Sequence, residues 1–139
     1  DYDGIILASA GILTLNLKDS IKKFFSIDEI IPAAGQGIIA VQCRKKDEQI
    51  LEILKKINDK ETKICAIAER SVIKTIGGDC HTALGSHAII KDKKLTIFTE
   101  LFSLNGEESF KLKKTGNVKM PNKLGILTGS DLLKKITKF

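Results

Sequence analysis

Cysteine, arginine and long apolar runs are scarce in this 139-residue sequence, and each scarcity excludes something. The three cysteines, Cys43, Cys65 and Cys80, are an odd number with no CxxC pair. They signal neither a disulfide framework nor a zinc knuckle, no metal site is expected, and a reducing compartment is the predicted setting. The longest apolar run, Gly4–Gly11, is far too short to cross a bilayer, so no membrane partner is expected. Aromatics are 5% of the chain and do not interleave with its lysines. With no RNA- or DNA-binding motif either, nucleic acid is not an expected partner.

Of the 23 basic residues only two are arginine, Arg44 and Arg70. Where lysine is used almost everywhere, an arginine suggests a need for the planar, bidentate guanidinium, with a structural ion pair as the equal alternative. The net charge of +6 is a carboxy-terminal property: residues 111–139 hold eight lysines against Asp131, whereas residues 1–110 are nearly balanced. A solvated lysine face is the plain reading of that asymmetry. A non-catalytic α/β binding module that offers this basic face to an acidic partner is the alternative. Apolar residues at 42% are enough to bury a core.

The chain opens inside a strand-like run, Asp3–Ala8, which leads us to expect a piece of a longer protein. Ser9-Ala10-Gly11 reads as a small-residue turn into a helical pattern through Leu17, and Asp19–Phe25 reads as another turn or two of helix. Ile30-Ile31-Pro32 is predicted extended, because a residue before proline avoids the α region. Gly35-Gln36-Gly37 predicts a sharp turn, and Ile38–Cys43 a strand. Asp47–Ile57 places Ile50, Leu51, Ile53, Leu54 and Ile57 at helical spacing. Asn58, three residues before Glu61, predicts a capped start for a helix running to about Ile76, with Cys65, Ala68, Val72 and Ile76 on one stripe. Gly77-Gly78 ends it.

Three strands, Leu84–Ile90, Leu95–Leu104 and Ser109–Lys114, are joined by turn residues at Asp92-Lys93 and Asn105-Gly106. Pro121 opens a last helix, although Gly125 and Gly129 weaken its first half. The fold class is therefore α/β, with an α+β carboxy-terminal unit: a small three-stranded antiparallel sheet with helices on one face.

Cys80 is the chemically conspicuous residue. It follows a helix-ending Gly-Gly and lies off every apolar stripe, whereas Cys43 and Cys65 fit core positions. Asp79 disfavours its thiolate and a protonated His81 favours it, a mixed setting that suits a thiol modified once and left in place. A cysteine–histidine nucleophile pair with His81 or His87 lacks an orienting third group. Metal binding by Cys80, His81 and His87 matches no familiar spacing.

Four stretches together carry a resemblance: Asp3–Gly11 (DGIILASAG), Pro32–Gly37 through Gln42-Cys43-Arg44, Glu69-Arg70, and Gly77-Gly78-Asp79-Cys80. In order and separation the chain resembles the carboxy-terminal part of the porphobilinogen deaminase (hydroxymethylbilane synthase) family over nearly all of its length. The resemblance implies a three-domain α/β enzyme. Residues 1–31 would end a second, binding-protein-like domain, residues 32–57 would return to the first, and residues 58–139 would form the cofactor-cysteine domain. It implies a transferase of heme and tetrapyrrole biosynthesis. That enzyme condenses four porphobilinogen molecules into hydroxymethylbilane on a dipyrromethane primer, held by a thioether to the cysteine matching Cys80.

By the same resemblance Arg44, Gly11, Gln36 and Arg70 match positions at or near the cofactor, with a structural role equally open for Arg70. The catalytic aspartate and most substrate-binding arginines would lie in a missing amino-terminal part. No catalytic residue is therefore expected in this chain, and the chain alone should be inactive. The expected partners are porphobilinogen, the growing polypyrrole and that missing part. The full enzyme is expected to be a cytoplasmic monomer, with a plastid location as the other possibility. Two positions depart from the family pattern: Asp79 stands between Gly-Gly and the cysteine, and Thr14 replaces an arginine.

Overall fold

The computed structural model describes residues 2–79 and 81–136. The element order is α1 (Ser9–Thr14), a 3-10 turn (Lys18–Ser20), α2 (Glu48–Ile57), α3 (Lys60–Ile76), β1 (Leu84–Lys91), β2 (Lys94–Phe102), β3 (Ser109–Asn117) and α4 (Pro121–Ile136). The strands form one antiparallel sheet in the order β1-β2-β3.

The sheet follows from its turns and its alternation. Asp92 and Lys93 both have positive φ, 51° and 58°, the geometry of a two-residue hairpin whose twist matches that of its strands. This turn sets Lys91 opposite Lys94 and thereby the register of the whole β1–β2 pair. Leu95, Ile97, Thr99 and Leu101 then point to one face of β2 and are buried there. Helices α3 and α4 cover that face: Ala68 and Val72 of α3 and Leu124 and Leu132 of α4 meet Ala88, Leu95, Ile97 and Leu101 of the sheet.

Helix α3 has strong boundaries. The Asp59 carboxylate accepts from the Thr62 amide at 2.7 Å, and those contacts with Thr62 hold its pKa below the usual carboxylate range. Gly77, with φ 68°, ends the helix, and the Gly78 amide donates to the Ile73 carbonyl at 3.1 Å in a Schellman closure. The expected cap at Asn58 is thus displaced by one residue, because the aspartate at 59 presents the acceptor to the first free amides.

Gly125 and Gly129 do not break α4. A Cβ at Gly125 would stand 2.4 Å from the Ala68 carbonyl oxygen and 2.5 Å from Ser71 Cβ, and one at Gly129 would stand 2.7 Å from Thr75 Cβ. The two glycines lie four apart on one face of α4, and their missing side chains let α3 approach closely. The gain in packing offsets their poor helix propensity, about 1 kcal/mol each.

The amino-terminal half departs from expectation. Asp3–Ala8 and Ile38–Cys43, both predicted as strands, belong to no ladder among the described residues. A strand exists only through a hydrogen-bonded neighbour, and neither run has one here. The helical reading of Asp19–Phe25 reduces to the short turn Lys18–Ser20, followed by irregular chain. Helix α2 forms as predicted, with the Asp47 side chain accepting from the Ile50 amide. Its apolar face is nevertheless open: Ile53 is 55% and Ile57 67% exposed.

Candidate functional site

The Gly35-Gln36-Gly37 turn is built on two left-handed glycines, with φ 79° and 80°. The Gln36 amide donates to the Ala33 carbonyl and the Ile38 amide to the Gly35 carbonyl, both at 3.0 Å, which leaves the Gln36 side chain exposed at the tip. The Gly35 amide donates to Glu69 Oε2 at 2.7 Å. Glu69 is buried in α3, and its other oxygen accepts from the Ala88 amide of β1, also at 2.7 Å. His87 Nδ1 lies 3.7 Å from the same Oε1. One carboxylate thus joins the turn, α3 and β1.

The chain before the turn runs along the outer edge of β1. The Ser86 amide donates to the Pro32 carbonyl at 2.8 Å. Gly85 sits under Ile31 so tightly that a Cβ would lie 2.4 Å from the Ile31 carbonyl oxygen. Across the sheet, Gly85, Glu100 and Lys111 occupy one row. Lys111 Nζ pairs with Glu100 at 3.4 Å and donates to the Asp28 carbonyl at 3.3 Å. Residues 28–35 are therefore docked on the carboxy-terminal unit, and Pro32 takes up the Ser86 amide that the edge strand would otherwise expose.

Cys80 lies outside the described residues; its flanks do not. Asp79 Oδ1 accepts from the His81 amide at 2.8 Å and from Thr82 Oγ1 at 3.2 Å, and Thr82 Oγ1 accepts from the Asp79 amide at 3.0 Å. Asp79 is thus engaged with both His81 and Thr82. Thr14 donates its hydroxyl to the Ala10 carbonyl at 2.8 Å, within its own helix.

Arg44 is an exposed guanidinium at the rim of a shallow depression lined by Gln42, Cys43 and Asp47. Among the described residues its ionic neighbour is Asp47 Oδ2 at 3.4 Å, a single contact that leaves most of its donor fork open there. Arg70 is exposed on α3 beside Glu69, and its guanidinium makes no hydrogen bond or ion pair among the described residues. Gly11 is exposed on α1, with open space where a side chain would be. No hydrogen bond or ion pair among the described residues joins Gly11 or Arg44 to the Gln36 turn.

Cys43 and Cys65 are free thiols, half-buried where full core burial was expected. Burial, and then the negative charges of Glu69, Glu61 and Asp59, push the Cys65 thiol above its ordinary value, so it is a poor nucleophile. No group of three His, Cys, Asp or Glu side chains able to hold a metal ion occurs among the described residues, and no described helix is long and apolar enough to cross a membrane. The basic carboxy-terminal face is partly neutralised. Lys111 pairs with Glu100, Lys114 and Lys134 pair with Asp131, and Lys113 and Lys135 lie over the rings of Phe98 and Phe110.

Sequence reasoning singled out Gln36, Arg44, Arg70 and Cys80 but gave Glu69 no role. The available signal was a carboxylate one turn after Cys65, beside the apolar stripe of a helix.

Residues 1–52 match the family model described as porphobilinogen deaminase, dipyromethane cofactor binding domain. Residues 63–134 match porphobilinogen deaminase, C-terminal domain. The chain belongs to the porphobilinogen deaminase family. A porphobilinogen deaminase of Coxiella burnetii (strain Dugway 5J108-111) is 38% identical over 134 residues, covering 96% of this chain and 44% of the relative. A porphobilinogen deaminase of Francisella tularensis subsp. novicida is 35% identical over 133 residues, with the same coverage. The chain thus spans about half the length of these relatives. Within it, Gly11, Gln36 and Arg44 fall in the cofactor-binding match, and Glu69, Arg70 and Cys80 in the carboxy-terminal match. The α+β fold of the latter is the three-stranded sheet with its two helices.

Proposed function

We propose that this chain is the carboxy-terminal portion of a hydroxymethylbilane synthase, a transferase that condenses four porphobilinogen molecules, and that Cys80 anchors a dipyrromethane primer through a thioether. The observation that carries this reading is the order of the two family matches, with the candidate cysteine placed between α3 and β1 of the second. Residues 1–31, 32–57 and 58–139 are read as parts of the second, first and third domains of that enzyme. The catalytic acid belongs to the part of the enzyme outside this chain, so the chain alone is inactive. A reducing compartment, the cytoplasm first, accords with the free thiols of Cys43 and Cys65.

The residues present suit such a group. A dipyrromethane carries acetate and propionate carboxylates, and Arg44 offers an exposed guanidinium fork that contacts Asp47 at 3.4 Å. Arg70 offers a second exposed fork. Gln36 supplies an amide at the tip of a fixed turn, and Gly11 supplies backbone without a side chain to obstruct approach. When bound, the primer supplies the terminal pyrrole carbon on which each new unit condenses, with loss of ammonia. The chain's own part is to hold that primer and to neutralise its carboxylates.

Intact mass and the Ehrlich colour reaction, measured on full-length protein carrying this chain, test the anchor. Cys80→Ala is expected to lose both the adduct mass and the colour, whereas Cys43→Ala and Cys65→Ala keep them. An adduct that survives in Cys80→Ala overturns the assignment.

A further inference from the structure

The Glu69 carboxylate has a placement that core packing does not require. It is 2% exposed, and each of its oxygens accepts one backbone N–H at 2.7 Å, from Gly35 and from Ala88. These two amides belong to segments 34 and 19 residues away in the chain. A carboxylate is an acceptor with two equivalent arms, and bonds to an ionised acceptor are the stronger kind. The tether also has a steric component. The absence of a side chain at Gly85 lets the Ile31 backbone lie directly against β1, next to the Ser86–Pro32 hydrogen bond. Helix α3 leads into the loop that contains Cys80, and β1 leads out of it.

We propose that Glu69 is a positioning residue: it ties the Gly35-Gln36-Gly37 turn to the two elements that flank Cys80 in the chain, and so sets where Gln36 stands relative to Asp79 and Thr82. Its consequence for turnover rests on the function proposed above; the tether itself does not. Glutamine has nearly the same volume as glutamate but one acceptor oxygen, so in Glu69→Gln an NH2 group faces one of the two amides. A packing role would leave that variant unchanged, whereas a tether would not.

Amide exchange on this chain, without substrate, tests the tether. Glu69→Gln is expected to raise exchange at Gly35 or Ala88, whichever amide the NH2 group comes to face, by about 10- to 100-fold, the factor for one charge-assisted bond lost, with Ile97 and Leu101 in β2 unaffected. Gly85→Ala, which displaces Ile31 while leaving Glu69 intact, is expected to raise exchange at Gly35 and Ser86 together. Unchanged exchange at both Gly35 and Ala88 in Glu69→Gln overturns the proposal, and so does an equal loss of protection across β2.

In full-length protein carrying this chain, Glu69→Gln is expected to lower kcat for tetrapyrrole formation by about tenfold with little change in the KM for porphobilinogen. A loosened Gly35 with unaltered kcat overturns the positioning role. Absence of a Cys80 adduct in the unsubstituted protein would overturn the proposed function instead, and the exchange result would still decide the tether.

Discussion

Residues 2–57 and residues 58–136 draw on the same kinds of side chain and reach opposite outcomes. No described residue of the first region is buried, and Tyr2, Ile5, Ile6, Ile39 and Ile53 are each more than half exposed. In the second region Ala68, Val72, Leu95, Ile97 and Leu132 have no exposure at all. Helix α2, with its isoleucines aligned on one face, is as well patterned for burial as α3. What differs is the partner. Helix α3 has a sheet beneath it and α4 beside it, whereas the apolar faces of α2 and of the two strand-like runs are left largely open among the described residues. Amphipathicity states that a face can be buried; it does not supply the surface that buries it. The exception within the first region is the strap at residues 28–35, and polar fixings hold it: Lys111 on the Asp28 carbonyl, the Ser86 amide on the Pro32 carbonyl, and Glu69 on the Gly35 amide.

The largest effect that tests this contrast comes from truncating one leucine or isoleucine in each region. Leu132→Ala, at a fully buried position, is expected to cost about 2–5 kcal/mol in urea denaturation. Ile53→Ala, on the open face of α2, is expected to change stability by no more than about 0.5 kcal/mol. Equal costs would mean that α2 is covered in solution.

A smaller effect is expected at the α3–α4 contact. Gly125→Ala raises helix propensity but drives a Cβ into the Ala68 carbonyl, so it should destabilise by about 1–3 kcal/mol. If thermal unfolding of Gly125→Ala instead shifts upward, the close approach of the two helices is not what secures the carboxy-terminal unit.

Acid separates the regions with the smallest effect. In the first, Lys23, which pairs with Glu29 at 2.5 Å, and the Ser26 amide lower the Glu29 pKa from 4.5 to about 2. In the second, Lys114 and then Lys134 hold Asp131 below its ordinary 3.8. Both carboxylates have depressed folded values, so their contribution is complete above the unfolded pKa and is lost as pH falls through the folded one. Between pH 4.5 and 2, NMR should show the Ser26 amide shift moving with Glu29 and only local change. Protonation of Asp131 should loosen the end of α4 against β3, since Lys114 and Asp131 lie on those two elements. Loss of β2 amide protection at the Glu29 titration would show that the two regions unfold together.

Much of the carboxy-terminal unit was legible in the residues. Alternation in β2, the Asp92-Lys93 turn, the stripe of α3 and Pro121 at the head of α4 each specify structure over a few neighbours. The glycines of α4 were misleading in isolation, because propensity penalises them and only a neighbouring helix gives their bareness a use. Glu69 was legible as a residue but not as a clamp. Arg44 and Arg70 stood out by composition, and the structure leaves both guanidinium groups exposed.

The amino-acid sequence by itself determined the elements whose signals are local: caps, turns, helix stripes and the alternation of a strand with its hairpin partner. These act within one turn or one hairpin, so the chain carries both halves of each interaction close together. Tertiary structure alone decided that Asp3–Ala8 and Ile38–Cys43 join no ladder among the described residues, that α3 and α4 touch through Gly125 and Gly129, and that one carboxylate at Glu69 holds Gly35 and Ala88. Each of those outcomes depends on a group tens of residues distant arriving within hydrogen-bond or van der Waals reach, and no local pattern encodes that arrival.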